Sequence, residues 1–163
     1  MAGELTFDVV SEFDHQELVN AVDQTQRELR TRYDLKNTRS EVALEKDQIV
    51  VVTESEFVLR SIKDLLESKV VRRGLSLKIL RYEKSQQAAQ GRVRQTIKLQ
   101  RGISQELARE ITKLLRDNLP KVRPQVQGDA VRVASKSKDE LQAAIRLLTE
   151  REFPVALQFT NYR

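Results

Sequence analysis

Hydrophobic and polar residues follow one pattern that occurs twice along the chain, once in each half. Alternation of apolar and polar residues predicts strands, because successive side chains of a strand point to opposite faces. Apolar residues three and four positions apart predict two helices between the strands of each half. Strands are expected around residues 5–9, 41–45, 49–52 and 75–79, and again around 93–99, 121–126, 131–133 and 155–159.

Each predicted helix begins at a residue that can cap it. Asp14 precedes the first helix and Ser104 the third. Thr53 and Ser137 are each followed three positions later by Glu, which is the spacing of a capping box. The chain therefore has a start signal for all of the expected helices, and the second is expected to end at Gly74.

Both halves show the order β-α-β-β-α-β over about 80 residues, which is the split βαβ or ferredoxin-like pattern. This predicts an α+β fold of two ferredoxin-like, RNA-recognition-like modules, each with a four-stranded antiparallel sheet and two helices on one face. We place module 1 at residues 1–84 and module 2 at 91–163, with the polar stretch Glu83–Gly91 as a linker or mobile loop. Pro124 agrees, because it falls in an expected edge strand, where a residue without an amide hydrogen is tolerated.

Positive charge is concentrated in the second half of the chain. The 163 residues have a net charge of +5. Residues 1–81 contain 13 Lys and Arg against 15 Asp and Glu, whereas residues 82–163 contain 16 against 9. An excess of this kind favours an anionic partner.

Alternation also predicts which charged side chains point away from the helix-covered face. Arg94, Lys98, Arg123 and Arg132 have the outward parity, so they are candidates for binding phosphates. The alternative is that they only form a solvated outer face, as charged side chains often do on antiparallel sheets. The expected central strands of module 2 contain no aromatic residue on either parity, so standard base stacking on that sheet is not expected.

Four further residues are candidates for the same site. Arg101 lies just before a helix start, and Lys136 lies beside the capping Ser137, where backbone amides could receive a phosphate. Tyr162 is a possible stacking group, and Arg163 adds a cation at the C-terminus. Ordinary helix capping is the alternative interpretation of the Lys136 segment.

Composition and motifs argue against other classes of protein. The chain has no Cys and a single His, so thiolate and multi-histidine metal sites are excluded. No glycine-rich phosphate loop or nucleophile elbow is present. We expect a soluble cytoplasmic protein that needs no cofactor, does not bind a membrane and is not an enzyme.

Several segments together resemble the bacterial YajQ family. They are Phe7–Glu12, Arg32–Asp34, Lys98–Ile103, Val126–Asp129 and Gln158–Arg163. The resemblance implies a cytosolic nucleotide-binding protein without a defined catalytic activity, whose ligands include GTP, ATP, cyclic di-GMP or RNA. It also implies that the first strands of the two modules are exchanged, so that the units become 12–100 and 1–11 plus 102–163.

Two functions follow as hypotheses. The first is a non-enzymatic nucleotide- or RNA-binding protein that binds phosphates with basic residues on sheet and loop surfaces. The alternative is a regulatory protein-interaction module that senses a nucleotide such as cyclic di-GMP and acts on a transcription factor. An exposed apolar patch, rather than a basic one, would favour the alternative.

Overall fold

A computed structural model of the protein describes residues 3–163, which form four α-helices and two antiparallel sheets. The helices are α1 (His15–Thr31), α2 (Glu56–Arg72), α3 (Gln105–Asn118) and α4 (Lys138–Glu150). The strands are β1 (Leu5–Val10), β2 (Glu41–Leu44), β3 (Gln48–Thr53), β4 (Leu80–Tyr82), β5 (Gln86–Gln87), β6 (Val93–Leu99), β7 (Arg123–Gln127), β8 (Ala130–Ser135) and β9 (Gln158–Thr160). The predicted α+β class is confirmed.

The chain folds as two compact units. The central unit is Phe13–Gln100, and the terminal unit combines the N-terminal segment through Glu12 with Arg101–Arg163. The central unit contains a sheet of order β2-β3-β6-β4, with β5 paired to β6. The terminal unit contains a sheet of order β7-β8-β1-β9.

Each sheet takes one strand from the other half of the sequence. Pattern alone assigns β1 to residues 1–84 and β6 to residues 91–163. The hydrogen bonds instead pair β1 with β8 and β9, and they pair β6 with β3 and β4. The exchange implied by the family resemblance is therefore present in the fold.

The core of the central unit lies between its sheet and helices α1 and α2. Ile49, Val51 and Ile97 of the sheet are each 0% exposed, as is Ile62 of α2. Val50, on the opposite parity of β3, is also buried. The β-branched run of β3 is therefore buried on both faces at Ile49–Val51.

Phe7 is at the centre of the core of the terminal unit. It is fully buried among the apolar residues of α3, α4 and the neighbouring strands. Its ring meets that of Phe159 edge-on, with centroids 5.9 Å apart. Because β1 is an inner strand of this sheet, the exchanged strand supplies part of the core and not only hydrogen bonds.

Three of the four predicted helix caps are confirmed. Asp14, Ser104 and Ser137 each accept a backbone amide from the first turn of the helix that follows. The second helix is different, because its capping side chain is Ser55, which accepts from the amide of Val58 at 3.2 Å. Thr53 is instead the last residue of β3.

Three stretches differ from the pattern-based prediction, one of which is the last strand, because β9 begins at Gln158 and not around residue 155. The strand expected around residues 75–79 is partly replaced by a 3-10 turn at Leu77–Ile79, with β4 after it, because the Ser76 side chain accepts from the amide of Lys78. The expected linker Glu83–Gly91 contains β5 and a second 3-10 turn, Ala89–Gly91. Its backbone pairs with β6, so this polar stretch is a structured hairpin.

Candidate functional site

The outer face of the terminal unit's sheet carries an ion pair between neighbouring strands. Arg132 on β8 lies opposite Asp8 on β1 and donates from Nε to Oδ1 at 2.9 Å. Asn161 donates from Nδ2 to the same carboxylate at 2.9 Å. The hydrogen bond from Arg132 is the main cause of the lowered pKa of Asp8, and the same bond raises the pKa of Arg132. Because Asp8 already neutralises this guanidinium, Arg132 has less charge to offer to a phosphate.

The C-terminal residues extend this sheet beyond β9. The backbone of Arg163 exchanges two hydrogen bonds of 3.0 Å with that of Thr6. Asp8 faces Thr160, and Thr6 faces Arg163. The C-terminal segment therefore uses three residue steps where β1 uses two. Asn161 accommodates the extra residue as a bulge, with φ of 57°. The charge of Arg163 contributes to the lowered pKa of Asp8.

Tyr162 lies beside Phe7, which belongs to the helix-covered face of the sheet. The two ring centroids are 6.1 Å apart. The Tyr162 side chain nevertheless remains 61% exposed. Its ring therefore offers aromatic surface at the sheet edge, and not above the row of residues that contains Arg132.

Three cations converge on a cleft beside the start of α4. Lys121, Arg123 and Lys136 line about 460 Å³ of space, together with Glu4 and two serines. All three cations are exposed, and Arg123 forms an ion pair with Glu4. Across residues 3–163, neither lysine takes part in an ion pair. Arg123 and Lys136 were predicted site residues, whereas Lys121 was not among them.

A serine hydroxyl holds two walls of this cleft together. Ser135 donates from Oγ to the carbonyl of Lys121 at 3.1 Å and accepts from the amide of Ser137 at 3.1 Å. The Ser135 side chain is buried. The segment that carries Lys136 is therefore fixed relative to the start of β7.

The other predicted cations lie elsewhere. Arg101 is exposed at the start of the second segment of the terminal unit, with Nη1 4.0 Å from a carboxylate oxygen of Glu12. Arg94 and Lys98 belong to β6 in the central unit. Lys98 donates to the side chain of Gln48 at 2.7 Å. The eight predicted residues are thus divided between the units, and Arg123 and Lys136 line a common cleft.

The central unit has a cavity that sequence reasoning missed. Arg30, Lys36 and Arg39 line it, and its volume is about 350 Å³. The available signals were the Arg32–Asp34 segment of the family resemblance and the basic residues of the polar stretch at 34–40.

Two further observations concern the chemistry of the described residues. Between residues 3 and 163, no three His, Asp or Glu side chains come together as a group suited to hold a metal ion. In the same range, none of the helices has the length and apolar character needed to cross a bilayer.

The sequence matches a known family over nearly its whole length. Residues 5–163 match the family described as nucleotide-binding protein YajQ-like. The chain belongs to this family. It is 57% identical to the nucleotide-binding protein of Chloroflexus aggregans and 54% identical to that of Roseiflexus castenholzii. Each alignment covers 100% of both chains. The resemblance to the YajQ family is thus confirmed.

Proposed function

We propose that this protein binds nucleotides without altering them, and that the terminal unit captures their phosphates in the cleft of Lys121, Arg123 and Lys136. The supporting observation is the convergence of three exposed cations, against the one carboxylate of Glu4. The name of its relatives, nucleotide-binding protein, agrees with the binding part of this proposal.

The chemistry of the cleft suits phosphate. Phosphate oxygens accept hydrogen bonds from ammonium and guanidinium groups, and a hydrogen bond to a charged group contributes about 1.5–3 kcal/mol. Lysine acts as a point charge that accepts many phosphate geometries, whereas Arg123 provides a planar fork. The cleft of about 460 Å³ also has the size of an ordinary small-molecule site.

GTP, ATP, cyclic di-GMP and RNA all present phosphates to such a cleft. These ligands can be distinguished by measuring the binding of labelled single-stranded RNA at a series of salt concentrations, with GTP and cyclic di-GMP as competitors. A steep salt slope with weak competition would identify a strand as the ligand. Salt-tolerant binding of one small nucleotide would identify a pocket ligand. Absence of binding to RNA, GTP, ATP and cyclic di-GMP at low salt would refute the proposal, and turnover of GTP with Mg²⁺ would refute its non-enzymatic part.

The regulatory alternative requires a contiguous apolar surface for a transcription factor. Phe57 and Val71 are the exposed apolar side chains of α2, at 76% and 55% exposure. They are 14 positions apart, which corresponds to about 21 Å along the helix axis, so they do not form one patch. Pull-down of a transcription regulator that survives nuclease treatment would favour this alternative over phosphate capture.

Arg94, Lys98, Arg101, Arg132, Tyr162 and Arg163 remain predicted contributors to nucleotide binding. Their surroundings lead us to expect unequal contributions to binding. Arg132 is paired with Asp8, whereas Arg94 is exposed on the outer parity of β6. Substitution of Arg94 by Gln is therefore expected to weaken RNA binding more than the same change at Arg132.

A further inference from the structure

The cavity of the central unit has an apolar floor and a basic rim. Leu29, Leu35 and Val42 line it and are 6%, 2% and 4% exposed. Arg30, Lys36 and Arg39 line the same space, with Glu41 as the carboxylate among its lining residues. An apolar wall combined with a few polar groups is characteristic of sites for small organic ligands.

The rim cations are available to a ligand. Within residues 3–163, Arg30, Lys36 and Arg39 take part in no ion pair. Helix α1 ends at Thr31, and a helix C-terminus carries about half a negative charge. The three positive charges exceed the combined negative charge of the helix C-terminus and the Glu41 carboxylate, so the rim attracts anions.

An aromatic ring lies next to the rim. Tyr33 is 89% exposed, and the Nζ of Lys36 is 5.3 Å from its ring centroid. An ion pair of 2.9 Å between Arg32 and Asp34 links the residues on either side of it. Exposed aromatic rings beside positive charge are platforms on which nucleobases stack.

The backbone that carries Arg39 is held in an uncommon conformation. Arg39 has φ of 52°, and a left-handed conformation costs about 1 kcal/mol for a residue other than glycine. The guanidinium of Arg92 donates to the carbonyl of Arg39 at 3.3 Å. The hydroxyl of the next residue, Ser40, lies 2.8 Å from the hydroxyl of Thr53 in β3. These contacts fix Arg39 at the rim, and strained residues held in this way are frequent at ligand sites.

We propose that this cavity is a second nucleotide site, contained wholly within the central unit. Arg30, Lys36 and Arg39 hold the phosphates, and the ring of Tyr33 stacks on the base. The ligand class is a nucleoside phosphate, because the rim matches phosphate and the exposed ring matches a base. The inference does not depend on the cleft of the terminal unit.

The test uses the absence of Trp from the chain. In the full-length Tyr33→Trp variant, the indole is the sole Trp and reports on this cavity. We expect saturable quenching of its emission by GTP or ATP. Inorganic pyrophosphate, which lacks a base, should cause little quenching but should displace the nucleotide. The matched Tyr162→Trp variant places the same reporter in the terminal unit.

Removing rim charges decides between specific and incidental quenching. Adding Lys36→Gln and Arg39→Gln to Tyr33→Trp should weaken the reported affinity by at least about tenfold, since two charge-assisted hydrogen bonds are lost. Unchanged affinity, or no quenching by either nucleotide, would overturn the inference. Loss of binding on substitution of Lys121 and Lys136 with no signal from Tyr33→Trp would leave the proposed function standing alone. The reverse result is quenching in Tyr33→Trp together with no effect of substituting Lys121 and Lys136. It would refute phosphate capture in the terminal unit's cleft and support this site.

Discussion

Arg132 donates to Asp8 at 2.9 Å, although 124 residues separate the two along the chain. The bond joins the exchanged strand β1 to β8 on the outer face of the terminal unit's sheet. Asp8 and Arg132 also face each other in the backbone register, so side chains and backbone specify the same alignment. A slip of one residue would break the pair and turn Phe7 out of the core.

This pair predicts a specific dependence of stability on pH. The pKa of Asp8 is lowered from its ordinary value of 3.8, so its ion pair stabilises the fold fully above that pH. The contribution is lost as the pH falls through the lower pKa of the folded state. Asp8→Asn should therefore be less stable than the wild type at neutral pH. Urea unfolding at a series of pH values should show the gap narrowing below 3.8. A gap that is constant down to the lowest pH would contradict this account.

The strand exchange predicts which fragments fold. A fragment of residues 13–100 retains every strand of its sheet, whereas a fragment of residues 1–84 lacks β6. Val93 and Ile97 of β6 are 4% and 0% exposed, so their loss removes the middle of the core. Circular dichroism with urea unfolding should show a cooperative transition for 13–100 and none for 1–84. Equal cooperativity of the two fragments would count against the described pairing.

Local patterns predicted most elements but could not choose strand partners. Alternation identifies β1 and β6 because it depends only on which face each side chain occupies. Each half offers a complete set of four strands, so the pattern is equally consistent with exchanged and unexchanged sheets. The exchange entered only through the family resemblance, and the hydrogen bonds of β1 and β6 show it.

The candidate site was less predictable than the fold. Outward parity identified Arg132 but could not show that Asp8, in a strand 124 residues away, neutralises it. The lysine of the cleft that was not selected, Lys121, falls in the strand predicted at 121–126 and lies just before β7 in the fold. The cavity at Arg39 depends on a left-handed backbone in a polar loop, and no periodicity signals it.

Arg39 allows ligand binding to be separated from stability. In Arg39→Gly, relief of the left-handed conformation, about 1 kcal/mol, offsets the larger backbone entropy of glycine, about 0.4–1 kcal/mol. The free energy of unfolding should stay nearly unchanged while GTP quenching in the Tyr33→Trp background is reduced. Gln90→Gly is the matched control, since Gln90 has φ of 62° and does not line the cavity. Equal quenching in the two variants would argue against a role of Arg39 in binding.

Glu4 competes with the ligand for Arg123 in the terminal unit's cleft. Glu4→Gln removes that carboxylate, and exposed ion pairs contribute up to about 1 kcal/mol, so affinity for GTP should rise by at most about fivefold. Isothermal titration calorimetry would measure the change, with Glu110→Gln on α3 as a control of equal charge. A weaker affinity in Glu4→Gln than in the control would be the opposite of this expectation.

The most direct test of phosphate capture compares two double variants at a range of salt concentrations. Lys121→Gln with Lys136→Gln removes two cations of the cleft, whereas Arg109→Gln with Lys113→Gln removes two exposed cations of α3. Binding of GTP and of labelled single-stranded RNA is measured for both variants and the wild type. We predict that the cleft variant binds at least about tenfold more weakly, since two charge-assisted hydrogen bonds are lost. For RNA, the slope of log affinity against log salt concentration should become shallower by about 1.4, because each of the two lost phosphate contacts contributes about 0.7. Equal affinities and slopes in the two folded variants would contradict phosphate capture in this cleft.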